Sequence, residues 1–417
     1  SINTADRDTI ADVSFTDGSD AVETGGEPEA QTRVTDVLTG ENMTQVNVAA
    51  GVEVSASGSG VAGGASVIVN DVDNTVSVTE TDLTITGGAS GSHTAHATNR
   101  IESVNVAAGV AVSTGPGSLA GSVYAGDMAQ SATVDATRVS SETLNNRLEA
   151  GNAAKNINVA GNVTVSTRSG GAAGAAVVVD SVANDARVTG SGLTFGTTDS
   201  QTVLSAQNTS ETWSVAANGA VAQNASLSGA VTVESTDNTT AVTVDGLTMT
   251  GAASLSADAA DQSETHALAG ALGIAFAPGA SATGAVTVLN DTGSTTADLK
   301  RVTMNSPRRT GTVAVMAGNH SVERNLAIGI GGSMVGSLTG AVNVNRIDHD
   351  VTAALAMTDG SAADALRAGS VTTALKKVSV GAANDASIGS LSLMLTGGGA
   401  GAAGAAVNVS TIASDVA

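Results

Sequence analysis

Apolar and polar residues alternate along most of the chain, as in Val46-Asn-Val-Ala-Ala-Gly-Val-Glu-Val-Ser55 and Thr75-Val-Ser-Val-Thr-Glu-Thr-Asp-Leu-Thr-Ile-Thr86. Alternation with a period of two predicts extended strands with one face buried. One phrase recurs throughout: a small-residue segment, then a Val ladder, then a cluster of Asn and Asp. It is clearest at Gly171–Val188, and returns at Gly64–Asn74, Gly229–Asn238, Gly340–Asp350 and Gly404–Asp415, with weaker copies from Gly121 and Gly284. The anchor glycines Gly64, Gly121, Gly174, Gly229, Gly284, Gly340 and Gly404 are separated by 57, 53, 55, 55, 56 and 64 residues. A period near 57 held this far predicts a repeat architecture in which each unit buries its apolar face on its neighbours.

The fold expected from this pattern is an all-β, parallel β-solenoid of about seven ~57-residue repeats. Each repeat is read as two coils of roughly 28 residues, with one wide coil per repeat as the alternative. Residues 1–417 form one continuous array, with 1–45 as a half repeat. The long final step between anchors is assigned to an insert at 361–377, and Ser140–Ala154 is the other candidate for a projecting loop or short helix. The pairs Leu83/Ile85, Leu193/Phe195, Leu247/Met249 and Val302/Met304 keep one spacing and are expected to stack as an inward column. Proline cannot donate to a ladder, so Pro28, Pro116, Pro278 and Pro307 are all expected at corners. About fifteen coils spaced ~4.8 Å apart would make a rod on the order of 70 Å long.

Composition narrows the core. Aromatic residues are 1% of the chain, so the interior must be filled by Val, Ile, Leu and Ala. The 50 glycines follow no three-residue period and only 4 prolines occur, which excludes collagen. Regular alternation and a mean hydropathy of +0.17 argue against disorder. The net charge of −22 leaves no basic stripe for phosphates, so a nucleic-acid partner is not expected. Arg308-Arg309 and Lys376-Lys377 read as solvated loop charges. There is no cysteine, hence no disulfide, and no apolar run of membrane-spanning length.

Candidate chemistry is sparse. His93 and His96 lie three apart on a strand and so face opposite sides, while His349, between Asp348 and Asp350, reads as a surface turn residue. The Asn/Asp clusters are the most chemical feature, and they are read as corners. Their side chains suit turns, so no metal and no cofactor is expected; were Ca²⁺ bound, Asp73, Asp185 and Asp350 would be its ligands. The glycine-rich nonapeptide of calcium-binding β-rolls is missing. Acids scattered without aromatic platforms, and no nucleophile elbow, zinc helix or phosphate loop, point away from an enzyme.

The phrases at 157–209 and 326–351, Val-Asn-Val-Ala-Gly-like strands, the Val ladder ending in Asn/Asp and the Leu-Thr-Phe-type strand, resemble repetitive passenger regions of large bacterial type V secreted adhesins. The likeness is to the leukotoxin-type and filamentous-haemagglutinin-type surface proteins, and it covers essentially the whole chain. It implies an exported β-helical fibre or stalk segment at a bacterial cell surface, with no site residue carried over. The alternative is an adhesin module that binds glycans or cells through a polar Thr/Ser/Asn face or a side loop. The sequence starts and stops in mid-repeat at matching phases. The expected partners are therefore adjoining repeats of a longer chain, or further copies stacked end to end.

Overall fold

The computed structural model describes residues 2–14, 34–56, 59–85, 91–168, 170–196, 199–250, 254–305, 311–357 and 376–417. Two parallel sheets face each other. The first holds β1 (Ile2–Ser14), β3 (Val61–Thr81), β6 (Gly117–Thr137), β9 (Gly171–Phe195), β11 (Ala225–Thr250), β13 (Ala280–Asn305), β15 (Gly336–Met357) and β17 (Gly401–Val416) in that order. The short strands β4 (Thr84–Ile85) and β7 (Ser140–Ser141) extend it at one margin. The second sheet stacks β2 (Val34–Ser55), β5 (Ser92–Ser113), β8 (Asn145–Ser166), β10 (Gln201–Ala222), β12 (Ser254–Ala275), β14 (Thr312–Ser333) and β16 (Lys377–Gly398). The chain passes from one sheet to the other and back once per repeat, which makes it the expected all-β parallel solenoid.

The coil is twice as wide as the two-coil reading supposed. Val61 lies opposite Gly117, Gly117 opposite Gly171 and Gly171 opposite Ala225, so each strand pairs with the strand one full repeat away. One repeat is one coil. The segments read as Gly/Ser and Asn/Asp corners are extended instead, because equal residues stacked coil on coil can pack and hydrogen-bond without the chain turning. Seven strands at ~4.8 Å give a stack on the order of 30 Å rather than 70 Å. Likewise Ser140–Ala154 is not a projection: Ser140 and Ser141 pair with Thr194 and Phe195, and Asn145 already belongs to β8.

True corners are few. Pro116 and Pro278 sit at one, between the sheets. At the other margin of the first sheet, Asp82, Arg138, Gly192, Gly246 and Arg301 all have positive φ, between 50° and 83°. This left-handed residue once per coil bends each long strand into the Leu83/Ile85-type pair. Two of the five are glycine, which adopts that conformation without a Cβ penalty; Arg138 is paired with Asp82 of the coil before, and Arg301 with Asp245 at 2.8 Å. Pro28, Pro307, Arg308, Arg309 and nearly all of the 361–377 insert lie outside the described residues.

The anchor glycines are not all equivalent. Gly121, Gly229, Gly284 and Gly340 share one ladder, but Gly64 and Gly174 flank Ala120, and Gly404 lies opposite Thr339. A shift of one residue moves a position to the other face of the sheet.

Along its width the interior changes character. Where the second parts of the first-sheet strands meet the first parts of the second-sheet strands, Val, Leu, Met and Phe fill the space, with Leu148, Leu193, Phe195, Leu247 and Met249 at 0–1% exposure. The expected column is present: Phe195, Met249 and Met304 are in register, as are Leu193, Leu247 and Val302, and Ser141 stands between Ile85 and Phe195. In the other half the interior is narrow and mostly alanine, as at Ala107, Ala160, Ala216 and Ala230, with Ile68, Tyr124 and Val178 as its larger members. There the sheets approach so closely that a Cβ on Gly51 would come within 2.5 Å of the Ala65 carbonyl oxygen.

Candidate functional site

Between the two halves runs a buried polar stripe, and it holds most of the ionisable groups in the core. Asn70, Asn74, Asp180, Asn184, Asn238 and Asp291 point inward from the centres of first-sheet strands. Their parity explains this: in Asn70-Asp-Val-Asp-Asn74, the outer two residues share a face with buried Val72 and Val76, and the aspartates face out. Opposite them, Asn99, Asn152, Asn208, Asp261 and Asn319 form one second-sheet ladder. Amides bond along and across the stack, Asn152 to Asn208 at 3.0 Å, Asn184 to Asn238 at 2.8 Å and Asn74 to Asn99 at 2.5 Å. These bonds favour the observed register, since a slip would break them, and they leave Asn74 Oδ1, Asn152 Oδ1 and Asn184 Oδ1 buried without a hydrogen-bond partner.

Two carboxyl clusters are set into the stripe. Asp180 and Glu234 stack on adjacent coils, both buried. The Tyr124 hydroxyl donates to Asp180 at 3.1 Å and the Asn156 amide donates to it at 2.6 Å. Room for the tyrosine hydroxyl comes from Gly126, where a Cβ would sit 2.0 Å from that oxygen. Burial raises the Asp180 carboxyl to about 7 against its hydrogen bonds, and burial with the neighbouring Asp180 charge pushes Glu234 well above the usual carboxylate range.

The second cluster lies one to three coils beyond Asp180. His349 contacts Asp291 at 3.1 Å and lies 3.9 Å from Asp261, while Ser263 donates to Asp291 at 2.6 Å. Burial, reinforced by Asp291, raises Asp261 to about 7 and Glu323 to about 8. For His349 burial acts downward, but the hydrogen bond and charge of Asp291, with Asp261 and Asp237, overcome it and raise the value. His349 is therefore no surface turn residue: it is fully buried in the middle of β15, opposite Gly293, whose missing side chain leaves space for the ring. Apart from the stripe, Glu80 and His93 form a buried pair at 3.0 Å in the bulky half, and His96 faces outward beside Glu149.

The calcium candidates do not converge. Asp73 and Asp350 are exposed on outer strand faces, and Asp185 is bound to Arg187 at 2.5 Å. Among the described residues, no three His, Asp or Glu side chains are placed to share a metal ion. On the outer face of the second sheet, Trp213 and His266 stack with centroids 3.7 Å apart and planes 15° apart. Ile157 is the register neighbour of Trp213 on the other side, and Trp213 remains 42% exposed.

Sequence reasoning missed the carboxyl clusters because it placed Asn and Asp at corners. The parity of those residues against the valines was the available signal. No protein-family model, curated protein or solved structure matches the chain in comparison with known proteins.

Proposed function

We propose that this chain is a structural element, a length of stiff β-solenoid fibre or stalk of a bacterial surface adhesin, extracellular in its working place. The observation that carries the reading is unbroken register: from β5 through β14 every second-sheet strand is paired along essentially its whole length. A continuous double wall of parallel strands suits a spacer, in which no single position is special. The carboxyl clusters support the same role, since they are sealed in the interior and serve register. In this reading adjoining repeats, or further copies, continue the two sheets beyond their outermost strands. The absence of cysteine and the likeness of the repeats to type V secreted adhesins favour export.

Whole-coil deletion tests the proposal. Removing residues 225–279, one complete turn, should leave a folded, surface-displayed protein whose fibre is shorter by about 5 Å per copy. Loss of folding or display would count against a modular spacer. Screening the same pair of proteins on a glycan array addresses the alternative: binding that vanishes with one coil would favour a recognition module using a polar face.

A further inference from the structure

The outer surface of the slim half is the reverse of what a solvated strand presents. From Val46 to Val54 the outward residues of β2 are Val46, Val48, Ala50, Val52 and Val54, and Val46, Val48, Val52 and Val54 are 65–72% exposed. The same five columns continue through every later strand of the second sheet, and among these positions only His266 and Arg324 are ionisable. In a chain with a net charge of −22, none of them is Asp or Glu. Five columns across six strands cover roughly 750 Å² by strand rise and spacing. That is close to the ~800 Å² each partner contributes to a stable interface, and well beyond an incidental apolar patch.

The relief of this face identifies its occupant. Side chains grow along the stack: the central column reads Ala108, Gly161, Ala217, then Gly270, Ile328, Leu393, and its neighbour Val110, Val163, Gly219, then Leu272, Ile330, Leu395. We propose that the face is closed by a second copy of the chain, about a two-fold axis lying in the interface along the strands, between β10 and β12. That operation places Ala108 against the partner copy's equivalent of Leu393, Gly161 against Ile328 and Gly219 against Leu272. In the central column the hollows at Ala108 and Gly161 each meet a bulky residue, while Ala217 and Gly270 face each other at the axis. Copies stacked with the same coil order would set Leu393 on Leu393 and hollow on hollow. The interface is isologous, so it closes as a pair and leaves the stack ends free. It goes beyond the spacer role, since a spacer needs no lateral partner.

Sedimentation of the intact chain is the test. It is expected to run at twice its 40.2 kDa mass, and more tightly paired in higher salt, because salt screens repulsion between two acidic bodies without weakening an uncharged contact. Leu272→Glu, on the outside of the sheet, should leave the circular dichroism spectrum unchanged while weakening association at least about tenfold. Trp213, the single tryptophan, lies at the rim of the face and should shift its emission to the red in that variant. Leu227→Glu, on the outer face of the first sheet, should pair as the parent does. In the cysteine-free background, a short bifunctional maleimide should join Ala217→Cys to itself across the axis and fail with Ala108→Cys. A monomeric parent, an unaffected L272E, or a monomer that instead binds phosphatidylcholine vesicles would overturn the proposal. Efficient joining at position 108 would overturn the coil order.

Discussion

The two halves of each coil solve the same packing problem in opposite ways. In the bulky half, Phe195, Leu193 and Met249 point in and Thr, Ser and charged residues point out; in the slim half, Ala216 and Ala230 point in, and Val215 and Val231 point out. Burial stabilises the first by removing large side chains from water, roughly 25 cal/mol per Å². The second gains little area inside. It is held by close backbone approach and register, and it leaves its apolar surface outside. The lesson is that one alternating pattern serves both, and only residue size on each parity tells which side is the core.

Substitutions and one pH titration sharpen this contrast. Phe195→Asp should be the most damaging, costing more than about 4 kcal/mol by burying an unpaired charge, whereas Val231→Asp, its outward counterpart in the slim half, should change stability by under about 0.5 kcal/mol in denaturant titrations. A comparable loss in both would mean that the halves are not different after all. Lowering the pH probes the stripe between them. The raised carboxyls Asp180, Asp261 and Glu323, at about 7, 7 and 8, bind protons in the folded chain that the unfolded chain releases near 4. Their contribution is complete below the unfolded value and is lost as pH rises through the folded one, and the raised His349 acts in the same sense. Stability should therefore fall by several kcal/mol between pH 5 and 8, at up to about 1.4 kcal/mol per unit for each group. Asp261→Asn should flatten that slope, and an unchanged profile would remove the cluster from the explanation.

Glu80→Ala should cost about 3 kcal/mol by leaving His93 buried without its partner. The double change Glu80→Leu with His93→Val should be near neutral, because Leu299 and Val313 occupy the same two columns further along the stack. Thermal melts of the three proteins would distinguish a register device from a purely destabilising pair. Gly246→Ala sits at the small end: at φ 83° it should cost about 1 kcal/mol, read as a modest drop in melting temperature.

The strands, the repeat, the parallel stack and the Leu193/Phe195-type column were legible because period and spacing survive in the sequence. Coil width was not. Glycine and Asn/Asp ordinarily mark turns, and here the glycines at Gly64 and Gly174 and the amides at Asn74 and Asn184 sit in mid-strand, where stacked neighbours supply what a turn would. The Asp261–Asp291–His349 grouping was hidden for a different reason. It assembles residues from β12, β13 and β15, and its members meet only once coil width is known.

The wide coil also dictates how the chain must find its shape. Nearly every pairing joins positions about one repeat apart, such as Ala225 with Ala280, and hardly any is local. The first coil must close a long loop with no template beneath it, which is slow and entropically costly. Each later coil closes the same length on a finished edge that already displays its ladder of donors, acceptors and amides. Assembly is thus expected to resemble crystal growth, with a hesitant nucleus followed by steady addition from one end, a sequence of events suited to a chain delivered gradually from its point of synthesis or export.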